Sequence, residues 1–117
     1  ARHKAAGAAM VAGLRAMGLK VFGNDAYRMT NVTGVWIPEG VEGERVRQRM
    51  RDDFGIEIGT AFGPLAGKIW RIGAMGYNAK KHNVLLTLGA LETCLAAEGY
   101  AVKRGAGVDA ALATCQN

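Results

Sequence analysis

Lys68-Ile-Trp-Arg-Ile-Gly73 is the stretch whose reading decides the fold. Side chains along a strand point alternately to opposite faces, so Trp70 and Ile72 share one face while Ile69 and Arg71 share the other. The Trp face is expected to meet a layer of helices. Arg71 then projects from the uncovered side, with Gly73 and Gly76 just beyond it leaving room for another backbone or a ligand to approach. A guanidinium in that position suits a carboxylate, which it binds through two parallel hydrogen bonds that lysine cannot reproduce. On spacing alone, an ordinary solvated strand arginine is the competing reading.

Working outward, residues 19–22, 29–37 and 56–58 read as further short strands, the second closed by Pro38-Glu39-Gly40. Thr30, Val32 and Trp36 share one face of that second strand. Helical spacing recurs in three places: Ala6, Met10, Leu14 and Met17 before Gly18; Val46, Met50 and Phe54 before Gly55; and Val84, Leu88, Leu91 and Leu95 before Gly99. Glu42 and Glu44 near the start of the second helix suit its macrodipole. Asn78 is the expected N-cap of the third helix. The first helix has a narrow, flat, Ala/Gly-dominated face. After a basic linker at 103–107, Asp109 is expected to cap a last short helix reaching Leu112, whose docking the sequence does not reveal. The order helix, strand, strand, helix, strand, strand, helix predicts an α+β fold: a small, mainly antiparallel sheet with helices packed on one face.

Composition narrows the chemistry. The chain has 117 residues, the usual size of one domain, with 17 Gly and a core that must be rich in small residues. There is no Ser, and His3, His82, Cys94 and Cys115 are the only residues of their kinds. A serine nucleophile is therefore excluded, and a clustered zinc site or disulfide framework has no spacing to support it. The thiols are expected reduced, in the cytoplasm. Charge-free runs are too short to span a bilayer, so no membrane partner is expected. The net charge of +5 favours acidic partners, but Arg45, Arg47, Arg49 and Arg51 alternate around a helix and are diluted by Glu42, Glu44, Asp52 and Asp53. With no aromatic-plus-basic motif beside them, nucleic-acid binding is not expected.

Several local motifs read as bland. Gly63-Pro-Leu-Ala-Gly67-Lys68 imitates a phosphate loop, but its glycines are one residue too close and Ile69 stands where Ser or Thr is needed. Asn31-Val32-Thr33 matches a glycosylation sequon inside an expected strand. His3 lacks a catalytic constellation. Lys80, Lys81 and His82 crowd a helix start, against the macrodipole, and read as a solvated basic corner.

Taken together, Ile56-Glu-Ile-Gly59, Gly63-Pro64, Gly67-Lys-Ile-Trp-Arg-Ile-Gly73 and Met75-Gly-Tyr-Asn-Ala79 resemble the C-terminal small domain of class V pyridoxal-phosphate aminotransferases. The serine/alanine–glyoxylate branch is nearest. Arg2-His3, Gly18-Leu19 and Asn31-Val-Thr-Gly-Val-Trp-Ile-Pro38 fit the same domain in the same order, so the resemblance spans about residues 2–98. It implies a small domain at 1–99, a tail at 100–117 with a possible short helix, and a large cofactor-binding domain lying outside this chain. It further implies that Arg71 binds the α-carboxylate of amino-acid and keto-acid substrates such as glyoxylate. The Schiff-base lysine and the other pyridoxal 5'-phosphate contacts have no counterpart in the motifs here. Ala1 in place of Met fits a piece of a longer, homodimeric enzyme that is inactive without its other domain. A free-standing α+β ligand-binding or oligomerisation module is the alternative from a different class.

Overall fold

The computed structural model describes residues 2–22, 32–73 and 81–115. The elements run α1 (Arg2–Ala16), β1 (Val21–Phe22), β2 (Val32–Trp36), α2 (Gly43–Phe54), β3 (Gly59–Thr60), a 3-10 turn (Gly63–Leu65), β4 (Ile69–Gly73), α3 (Lys81–Ala97) and α4 (Ala106–Cys115). The four strands form one antiparallel sheet in the order β1-β2-β4-β3. The α+β architecture is therefore the one expected from the sequence.

The alternation in β4 divides the molecule. Trp70 and Ile72 are buried with Val35 of β2 against the helices, in the core that holds Met10, Leu14, Met50, Leu88 and Leu95. The indole Nε1 of Trp70 donates to the Gly43 carbonyl at 3.2 Å, which ties the start of α2 to the sheet. All four stripe residues of α3 are buried: Val84, Leu88, Leu91 and Leu95. Helices α1 and α3 stop where expected, because Gly18 and Gly99 have φ near +90° and their chains turn back. Leu19 N then donates to Leu14 O and Tyr100 N to Leu95 O. The Tyr100 hydroxyl donates to the Gly18 carbonyl at 3.3 Å, joining the two helix ends.

Three expectations need correction. The strand expected at 56–58 is paired instead at Gly59–Thr60. Ile56 and Ile58 alternate like strand residues, but Ile56 N turns back to the Met50 carbonyl of α2, so that segment serves the helix end. Phe54, the third member of the α2 stripe, is exposed, because the helix runs past the core there and Ile56 packs in its place. Asp109 lies inside the first turn of α4 and does not cap it; its amide donates to the Gly105 carbonyl at 2.9 Å. The expected cap at Asn78, and Thr30 of the second strand, lie outside the described residues.

The cap of α4 comes from another helix. Glu92 of α3 is buried, and its carboxylate accepts from Gly105 N at 2.8 Å and from Gly107 N at 3.0 Å. Two amides at a helix start are thus satisfied by a negative charge that also suits the macrodipole. This capping accompanies a close crossing of α1 and α4. A Cβ on Gly13 would lie 2.9 Å from Gly107 O, and one on Gly107 would lie 2.8 Å from Met17 Sδ. The flat Ala/Gly face of α1 is therefore the seat of α4, whose Ala111 reaches the core.

Glu92→Gln leaves one acceptor and turns an amide NH2 toward a backbone N–H. It is expected to cost about 1–3 kcal/mol by stranding one buried donor. Hydrogen exchange at Gly105 and Gly107 should accelerate before exchange in β4; unchanged protection at both amides would refute the cap.

Candidate substrate-carboxylate site

In an antiparallel pair, residues directly opposite carry their side chains on the same face. Arg71 is opposite Gly34 of β2 and opposite Gly59 of β3, and Gly34 is in turn opposite Phe22 of β1. One row across the helix-free face therefore reads Phe22, Gly34, Arg71, Gly59. Arg71 is the only member with a long polar side chain, and a glycine lies opposite it on each neighbouring strand. The neighbouring row pairs Trp36 with Ile69. Phe22 and Trp36 meet edge to face, with ring centroids 5.2 Å apart, and form an aromatic wall at the β1 side.

Arg71 is exposed, and no hydrogen bond or ion pair engages it among the described residues. The arginines of α2 differ. Arg45 and Arg49 share the Glu98 carboxylate, Arg47 grips Glu44 and Arg51 meets Asp52. The hydrogen bond from Arg49, aided by Arg45, holds the Glu98 carboxyl below the usual carboxylate range. The bonds from Arg45 and Arg49 tie α2 to Glu98, just past the end of α3, and each of these four arginines has an acidic partner. Arg47 also donates from Nε to the Ile58 carbonyl at 3.0 Å, pinning the residue before Gly59. No local pattern signals that anchor, whereas a glycine interrupting the apolar run of β2 is the available hint for Gly34.

Ile69 lies on the Arg71 face as expected, and it is only 4% exposed. The exposed aromatic side chains among the described residues are Trp36 and Phe54, each 37% exposed, and Phe62, 83% exposed; of these, pairing places Trp36 on the Arg71 face.

Other candidate groups are not gathered at Arg71. His82 is exposed at the start of α3, Thr33 of the sequon motif is buried, and Asn31 and Lys80 lie outside the described residues. The side chains of His3 and Lys81 are likewise outside them. Burial pushes the Cys94 thiol up to about 11, so it stays protonated at neutral pH and is no nucleophile there. No His, Cys, Asp and Glu cluster suited to a metal occurs among the described residues. No helix among them is long and apolar enough to cross a membrane.

A pyridoxal phosphate site needs a lysine in a formed pocket and a set of phosphate donors. Lys20, Lys68 and Lys103 are all exposed. Lys20 lines an open cleft of about 500 Å³ with Trp36, Ile37, Pro38 and Glu39, where it is the sole basic side chain among the described residues. The described residues thus do not fit the cofactor. What they do offer is an exposed, unpaired arginine on β4, on the face away from the helices.

No protein-family model matches the chain. The (S)-ureidoglycine–glyoxylate transaminase of Bacillus subtilis is 49% identical over 99% of it, and the crystal structure of that aminotransferase superposes with a TM-score of 0.93. The pyridoxamine–pyruvate aminotransferase structure from Mesorhizobium loti gives a TM-score of 0.90 at 35% identity, over 98% of this chain. The alanine–glyoxylate aminotransferase of Callithrix jacchus is 40% identical over 80% of it. The chain spans only 28% of the Bacillus protein's length and 23% of the Callithrix protein's. Matches that cover 99% and 98% of the chain take in α4, which the sequence alone left unassigned. By sequence and by fold, this chain is a homologue of these aminotransferases and corresponds to their small C-terminal part.

Proposed function

We propose that the protein containing this chain is a pyridoxal 5'-phosphate-dependent aminotransferase that passes an amino group to glyoxylate, with (S)-ureidoglycine as donor, in purine-ring breakdown. The observation that carries this reading is the 49% identity and 0.93 TM-score to the Bacillus subtilis enzyme over 99% of the chain. Alanine–glyoxylate relatives match a smaller share, 80%, which favours the ureidoglycine reading over alanine or serine as donor.

In this reading Arg71 binds the α-carboxylate of the amino acid and of the keto acid in turn. Its strand is buried on the opposite face, so the guanidinium is presented from a backbone that does not move when substrate arrives. Cofactor chemistry belongs to a large domain outside this chain. That domain and a second subunit complete the site in a cytoplasmic homodimer, and the isolated segment is inactive.

The test is an assay of the full-length protein with glyoxylate and a panel of donors. Glycine formation should be fastest from (S)-ureidoglycine. Faster turnover of alanine or serine would replace the donor assignment, and no amino transfer from any of the three would overturn the activity. A free-standing binding module remains the reading to adopt in that last case.

A further inference from the structure

Both residues opposite Arg71 are glycines, but their surroundings differ. A Cβ placed on Gly34 would lie 3.3 Å from both Cβ and Cδ2 of Phe22, so that flank of Arg71 is already filled by an aromatic side chain. Among the described residues, a Cβ placed on Gly59 would meet nothing within 4 Å except Arg71 itself, its Cβ at 3.5 Å and its carbonyl oxygen at 3.6 Å, so they leave the flank over Gly59 open. It lies on β3, the edge strand, and is exposed. Its position is nonetheless fixed, because Arg47, itself held by Glu44 at 2.6 and 2.8 Å, donates to the carbonyl of the preceding Ile58.

We propose that Gly59 is a specificity-determining position: it keeps open the flank along which a small carboxylate reaches Arg71, and so limits the size of acid that the arginine can hold. The inference rests on the reading of Arg71 as the carboxylate clamp. A Cβ at 59 would lie 3.5 Å from that of Arg71, so any side chain there stands beside the arginine stem. A branched side chain there would crowd the stem and occupy the space that a bound acid's substituent needs. The backbone itself would tolerate it, because Gly59 is not among the glycines of positive φ and its nearest contacts are ordinary van der Waals distances. Crowding of this kind weakens binding of substrate in the ground and transition states alike, which appears in KM and not in kcat.

The experiment uses the full-length holoenzyme with Arg71→Ala, Gly59→Ala and Gly59→Val, measured with glyoxylate and with a larger 2-oxo acid. Gly59→Val should raise KM for glyoxylate by about tenfold, and for the larger acid by more, with kcat within about twofold and cofactor content unchanged. Gly59→Ala should fall between Val and the natural residue, and it decides the matter if the valine variant does not fold. Should Arg71→Ala lower kcat/KM while both Gly59 variants keep the natural KM for both acids, the clamp would stand and the role of Gly59 would be refuted. A fall in kcat or cofactor content at unchanged KM would refute it too, by marking Gly59 as merely structural. If Arg71→Ala itself left kcat/KM unchanged, the clamp would fail, and this inference with it.

Discussion

Replacing Arg71 by Ala in the full-length enzyme is expected to lower kcat/KM by about 10² to 10⁴ for both glyoxylate and the amino donor, with folding and cofactor content unchanged. Hydrogen bonds to a charged partner contribute roughly 1.5–3 kcal/mol each, and a bidentate pair supplies two. In the proposed reading the residue also orients the acid so that the reacting atoms meet at attack distance, an effect lost together with the contact. Arg71→Lys should recover only part of the loss, since it keeps the charge but not the planar fork. The fold leaves little room for a structural explanation of such a defect. Arg71 is exposed and unpaired among the described residues, so its removal strands no buried partner. Steady-state kinetics on the two variants, with thermal melts as control, checks this. Near-normal kcat/KM for both substrates in folded, cofactor-loaded Arg71→Ala would return the residue to an ordinary solvated arginine.

One position away, the expected effect reverses in kind. Trp70 is fully buried against the helices, so Trp70→Ala should destabilise the protein by roughly 3–5 kcal/mol, the usual cost of emptying a buried aromatic site. It also leaves the Gly43 carbonyl without the indole donor that ties α2 to the sheet. Trp36 supplies the contrast within one sheet. It is 37% exposed on the opposite face, and Trp36→Ala should cost well under half as much, its loss being that of partial burial and the edge-to-face contact with Phe22. Denaturant unfolding of the two variants compares them directly. Equal losses would mean that the sheet is covered on both faces and that the outward placement of Arg71 is wrong.

What the sequence revealed and what it hid divide along the range of the interactions concerned. The alternation of Ile69, Trp70, Arg71 and Ile72, and the stripe of Val84, Leu88, Leu91 and Leu95, are local patterns, and each element buries the face its own period selects. Ile56-Glu-Ile58 carries an equally good strand pattern, yet the pairing falls on Gly59–Thr60, because the turn after α2 consumes the preceding residues. Register across strands is a long-range property, so nothing in the linear order placed Gly34 and Gly59 on either side of Arg71. The seat of α4 was hidden for the same reason. It depends on Gly13, Gly107 and Glu92 meeting from three helices, and a buried glutamate in an apolar helix stripe carries no mark of the amides it will cap.

The central claim is that Arg71 recognises a carboxylate, and competitive inhibition of the full-length enzyme by a small unreactive carboxylic acid and by its uncharged amide tests it most directly. The acid and the amide share size and shape, so their difference reports the charge-assisted contact alone. The natural enzyme should bind the acid at least about tenfold more tightly than the amide, and Arg71→Ala should bind the two alike. A preference for the acid that survives undiminished in folded Arg71→Ala would contradict the claim and place the carboxylate elsewhere.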